Sequence, residues 1–186
     1  MKKRLNIIQT IKNFDNFLEN KNELFEAIII GGAALNLLSI VDRATKDMNV
    51  IIPEELPKKI LAYSKEFAEK NDIPLDWLNT GPESITKELP PGWNERLKEA
   101  YSGSNLKLKT LGRTDLIKTK AWAYVDRGTD KEDLIAMKPS LLEIIEAKNW
   151  VKDRDGNPDW PKYVDIQMKL ISEEIKKEKA KDKGIE

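Results

Sequence analysis

Four residues in the first third of the chain have types and spacing that could do chemistry: Gly31, Gly32, Asp47 and Asn49. Gly31-Gly32 directly follows Ala27-Ile28-Ile29-Ile30, a short apolar run rich in β-branched residues that suits a buried strand. Ala33 to Leu38 then reads as the start of a helix. Paired glycines at a strand-to-helix turn let the backbone approach a ligand closely, and the free N–H groups of a first helical turn favour an anion. A second β-rich run, Met48 to Ile52, begins after Asp47. Alternation along it puts Asp47 and Asn49 on one face and Met48 and Val50 on the other. A glycine turn beside two oxygen-bearing side chains on a neighbouring strand could hold a phosphate and a divalent cation together. The plainer alternatives are a tight turn and a strand start.

Composition narrows the chemistry further. The 186 residues contain no cysteine and no histidine. That excludes disulfides, thiolate metal sites, cysteine nucleophiles, His-based triads and the commonest zinc ligand. Carboxylates, amides, hydroxyls, lysine, arginine and a hard cation such as Mg²⁺ held through oxygen remain. Lys plus Arg and Asp plus Glu each number 32, so net charge gives no push toward nucleic acid or anionic membrane. Leu5-Asn-Ile-Ile after Met1-Lys2-Lys3-Arg4 is too short for a signal-peptide core, and no apolar run approaches the roughly 20 residues that span a bilayer. A soluble cytoplasmic protein is expected.

Gly31-Gly32 followed by Arg43-Ala-Thr45-Lys-Asp47-Met-Asn49-Val resembles the signature of the nucleotidyltransferase superfamily, which includes DNA polymerase β and the head domains of CCA-adding enzymes. With the later Asp76-Trp-Leu-Asn79 it is similar to small, stand-alone bacterial nucleotidyltransferase-like proteins of unknown function, over roughly residues 24 to 138. The resemblance implies an α/β mixed (α+β) nucleotidyltransferase fold, a small twisted mixed sheet flanked by helices with a helical C-terminal extension. It implies Mg²⁺-dependent (or Mn²⁺-dependent) transfer of a nucleotidyl group from a nucleoside triphosphate to a hydroxyl of RNA, protein or a small molecule. Such chemistry uses an Asp-x-Asp pair and a third carboxylate on a neighbouring strand. Asp47 takes the first position and Asn49 the second, one negative charge short of the usual pair. Asp76 is the candidate for the third, against a loop-edge aspartate. Gly31 and Gly32 would cradle the triphosphate, Arg43 would contact phosphate, and Thr45 would fix the loop. Lys120, in the later Lys118-Thr-Lys120-Ala-Trp stretch, could reach a phosphate tail. Arg127, Asp130 and Asp133 read better as an internal ion-pair network.

Asn49 also leaves room for two other readings. One is a catalytically impaired member that binds nucleotide, RNA or a protein partner; the other is a toxin–antitoxin component. CCA addition itself would need neck, body and tail regions that this length does not accommodate.

The positioning elements follow from pattern. Residues 4 to 21 place Leu5, Ile8, Ile11, Phe14, Phe17 and Leu18 at helical spacing. Leu56 to Lys70 reads as a helix, 74 to 79 as a short third strand, and 83 to 104 as irregular. Asn105 to Leu111 alternates as a half-exposed strand. Leu116 to Val125, a short helix after Arg127-Gly-Thr-Asp130, a Ser140-capped helix to Trp150, and 161 to 177 complete the chain, its Lys/Glu-rich end fraying. A composition shift at Lys138-Pro139 suggests a domain over 1–138 and a helical extension over 139–186.

Overall fold

A computed structural model describes residues 5–81 and 85–182; the Met1–Arg4 stretch read above and residues 183–186 lie outside it. The chain divides into two compact units, Met1–Gly112 and Arg113–Glu186, so the division falls ahead of the helix that begins at Arg113, not at Lys138-Pro139 where composition shifts.

The first unit begins with α1 (Ile7–Asn20), opened by Asn6, whose side-chain oxygen accepts from the Gln9 N–H at 3.2 Å. Then come β1 (Phe25–Ile30), α2 (Gly31–Leu37), β2 (Met48–Ile52), α3 (Lys58–Lys70), β3 (Leu78–Thr80), α4 (Ile85–Glu88), a 3-10 turn (Trp93–Arg96), β4 (Lys98–Ser102) and β5 (Leu106–Thr110). The strands form one mixed sheet in the order β3-β2-β1-β5-β4. β1 runs antiparallel to β2 and parallel to β5, while β3 joins β2 in parallel. The expected small mixed sheet flanked by helices is present.

Two of these strands differ from the pattern reading. β4 falls inside the stretch expected to be irregular: as an edge strand it is half exposed and carries Lys98 and Glu99, which erases the apolar alternation that would mark it. β3 is shorter than expected, because residues 75 and 76 form a turn.

The core lies on one face of the sheet. Ile7, Ile11, Phe14 and Leu18, spaced four, three and four apart, present one side of α1 to Phe25, Ala27 and Ile29 of β1, Met48 and Val50 of β2, and Leu106 and Leu108 of β5. Phe67 of α3 and Trp77 complete it, their rings 5.2 and 5.1 Å from that of Phe14. Trp77 is fully buried and its indole N–H donates to the Ser64 carbonyl at 3.2 Å. It also fixes the start of β3, since the Met48 N–H donates to its carbonyl. Trp77→Ala should therefore cost about 3–5 kcal/mol in urea denaturation, and a loss under about 1 kcal/mol would show that the aromatic cluster does not hold α3 to the sheet.

Alternation sends Glu26, Ile28 and Ile30 of β1, Asn49 of β2, and Lys107 and Lys109 of β5 to the opposite face. Part of that face is a groove of about 490 Å³ floored by Ile28 and Ile52 and flanked by Glu26, Glu99, Lys107 and Lys109.

The second unit is helical: α5 (Arg113–Arg127), α6 (Lys131–Ala136), α7 (Leu141–Lys152) and α8 (Trp160–Asp182), with α7 packed on both α5 and α8. Ser140 and Glu143 form a reciprocal capping box at the start of α7. α8 continues to Asp182 instead of fraying after 177. The Lys179 ammonium, which donates to the Pro139 carbonyl at 2.7 Å, ties its last turns down. Among the described residues no helix is long and apolar enough to cross a membrane.

Candidate nucleotidyltransferase site

At the end of β1 the backbone turns sharply at Gly31, whose φ is +81°. A side chain there would be strained, and its Cβ would sit 3.7 Å from the Asn49 amide nitrogen. A Cβ on Gly32 would come within 3.0 Å of the Thr45 hydroxyl and 3.7 Å of the Arg43 guanidinium. The diglycine turn, Arg43, Thr45 and Asn49 therefore share one corner of the first unit. Register explains it: antiparallel pairing sets Ile30, the residue before the glycines, opposite Asn49.

Backbone and side-chain bonds hold this corner. Thr45 is buried and exchanges backbone hydrogen bonds with Leu5, its N–H donating at 3.2 Å and its carbonyl accepting at 2.7 Å. Its hydroxyl donates to the Asp47 carbonyl at 3.4 Å. Asn36, buried on α2, links the two loops: its amide donates to the Gly32 carbonyl at 2.8 Å, and its oxygen accepts from the Arg43 N–H at 3.3 Å. Pattern reading passed over Asn36, although a polar residue in a small-residue helix start was the available signal.

The Asp47 carboxylate is engaged at both oxygens. Oδ1 accepts from the Asn49 amide at 3.1 Å, and Oδ2 accepts from the Asn79 amide at 3.4 Å. Parallel pairing of β2 with β3 sets Asn49 directly beside Asn79, which brings this third side chain in. In the sequence, Asn79 closes the short third strand and the Asp76-Trp-Leu-Asn79 motif, with no site role assigned to it. Asp76 lies in the exposed turn before β3; its backbone carbonyl accepts from the same Asn79 amide at 3.1 Å. Asp76 and Asn79 both line a groove of about 660 Å³ along α3, with Lys58 and Lys65 on its wall.

Lys120 requires a correction. Its ammonium lies between Asp133 at 2.8 Å and Asp130 at 3.1 Å, and its side chain is only 7% exposed. A cation buried among carboxylates is held by them and does not extend toward solvent. Lys120, not Arg127, is the cation of the internal network; the Arg127 guanidinium lies 3.9 Å from Asp126. Removing one partner of a buried pair leaves an uncompensated charge, so Lys120→Ala should cost about 3–5 kcal/mol in urea denaturation. An unchanged midpoint would contradict the pairing.

A family model described as a nucleotidyltransferase of unknown function (DUF6036) matches residues 5–147. The chain belongs to this nucleotidyltransferase family. No curated protein and no solved structure matches it. The match runs through the whole corner just described, where the diglycine turn follows β1 and Asp47 immediately precedes β2. Among the described residues no three His, Cys, Asp or Glu side chains gather as a metal-binding group. The oxygens at hand are one carboxylate and two amides. Mg²⁺ is commonly held by one or two carboxylates plus substrate phosphates and keeps several waters. That donor set fits one ion arriving with a triphosphate, and it is thin for a pair of dications.

Proposed function

We propose that this nucleotidyltransferase binds a nucleoside triphosphate together with Mg²⁺ (or Mn²⁺) and transfers its nucleotidyl group to a hydroxyl on RNA, protein or a small molecule. The observation that carries the reading is the meeting of Gly31, Gly32, Arg43, Thr45, Asp47 and Asn49 in one corner of a chain whose family is a nucleotidyltransferase family. In this scheme the acceptor oxygen bonds to the α-phosphorus, the bond to the bridging oxygen breaks, and pyrophosphate leaves while the hydroxyl proton passes to water. When bound, the ion lowers the pKa of the attacking hydroxyl and offsets charge on the leaving group. Gly31 and Gly32 let the triphosphate approach the backbone, and Arg43 supplies positive charge beside it. Thr45 and Asn36 keep the loop in register, while Asp47 offers the negative charge and Asn49 a neutral oxygen. Asp76, in the turn ahead of β3, contributes from the groove side.

Incubation with each α-labelled nucleoside triphosphate and Mg²⁺ tests this. Label transferred to RNA, to the protein itself or to a small acceptor, with matching pyrophosphate release, is the expected result. A second reading, nucleotide binding without turnover, is favoured by the amide donors on both Asp47 oxygens. Binding without pyrophosphate release, unaltered by Asn49→Asp, would select it.

A further inference from the structure

The Asp47 cluster is stable in a form that a cation-binding site would not need. Two carboxylates side by side repel, and an ion relieves them; here the neighbours of the one carboxylate are amides. Each amide turns its N–H₂ toward Asp47, so positive hydrogen ends already occupy both carboxylate oxygens. Asn79 makes the longer of these bonds and shares its amide with the Asp76 carbonyl, which anchors it to the turn before β3. The β2–β3 register locks it beside Asn49.

We propose that Asn79 is the third member of the site and that Asn49 and Asn79 together hold Asp47 as a hydrogen-bonded carboxylate which a divalent cation does not occupy alone. Asn79 acts as a positioning residue. Rotating either amide about its Cβ–Cγ bond exchanges the donor for a carbonyl oxygen, so the same two side chains can ligate once an ion is delivered. Under the transfer reading above, on which this step rests, the triphosphate delivers that ion, and ion and nucleotide bind as a pair. A site with fewer charges binds a hard cation more weakly, because affinity follows the number of charged ligands.

Titration with Mn²⁺ alone, read by loss of the free-ion paramagnetic resonance signal, tests the cluster on the folded full chain. The wild-type chain should take up no Mn²⁺ at this site below about millimolar concentration, the weak end for sites tuned by ligand charge. N49D/N79D, which sets three carboxylates together, should bind one Mn²⁺ at least about tenfold more tightly than wild type. If circular dichroism shows that the double variant does not fold, N79D alone is titrated and should show the same direction. Tight uptake of Mn²⁺ by the wild type, or no gain in a folded aspartate variant, would overturn the proposal. A parallel titration with a non-hydrolysable triphosphate reads the transfer hypothesis separately: failure of wild type to bind the analogue with Mn²⁺ counts against that hypothesis, while the Mn²⁺-only arms still judge the amide cluster.

Discussion

Asp47→Asn should lower nucleotidyl transfer by about 10³-fold, roughly 4 kcal/mol of transition-state stabilisation, while the chain stays folded. The substitution keeps the shape and removes the one carboxylate that both Asn49 and Asn79 address. Stability should change little. Asp47 is only partly buried, and an asparagine oxygen can still accept one of the two amide bonds. Transfer rates at saturating nucleotide, measured beside a thermal melt, separate chemistry from folding. A variant that melts normally and retains more than about a tenth of wild-type activity would remove Asp47 from the reaction.

A large loss of stability is expected elsewhere, at Asp15. This buried α1 carboxylate ties down the β4–β5 hairpin. Its Oδ1 accepts from the Asn105 and Leu106 N–H groups, both at 2.8 Å, and its Oδ2 accepts from the Ser104 N–H at 3.1 Å and the Tyr101 hydroxyl at 3.0 Å. Gly103 is packed so closely on Asp15 that no side chain fits at that position. Asp15→Ala would leave backbone donors without acceptors inside the unit, at a cost of about 3–5 kcal/mol, and Gly103→Ala should also be strongly destabilising because its Cβ would collide with the carboxylate.

A pH signature accompanies this contact. Burial, aided by the bond to Asp15 and that residue's negative charge, pushes the Tyr101 hydroxyl up to about 12. The folded state thus keeps a proton that the unfolded chain sheds near pH 10. This contribution to stability is present below pH 10 and is lost as pH rises through 12. Denaturation midpoints at pH 8 and pH 11 should fall in wild type and fall less in Tyr101→Phe. A midpoint in Asp15→Ala within about 1 kcal/mol of wild type would contradict the anchoring role.

The part of the fold legible in the sequence was the part written in apolar periodicity. The face of α1 that carries Ile11, Phe14 and Leu18, the run Ala27–Ile30, and the alternation Leu106-Lys-Leu-Lys-Thr110 each state which side is buried. β4 was not legible, because an edge strand needs little apolar surface and Lys98-Glu99 advertises none. At the site, Gly31, Gly32, Asp47 and Asn49 sit within one strand–turn–helix–strand stretch whose pattern suggests their proximity, and Thr45 follows from the family resemblance. Asn79 was not legible for a different reason. Its role arises from parallel pairing with β2, which is not a local pattern. Asp76 drew attention through its charge, but the turn at residues 75 and 76 gives the inward position on β3 to Asn79. The same preference for charge over position suggested Lys120, which serves the α5–α6 ion pairs.

A crystal structure with Mg²⁺ and a non-hydrolysable nucleoside triphosphate tests the central claim most directly. The expected result is a cation touching the Asp47 carboxylate and an oxygen of Asn49, with the triphosphate lying against Gly31 and Gly32. A nucleotide seated instead in the groove between Ile28 and Ile52, with Asp47 still closed by its two amides, would contradict it.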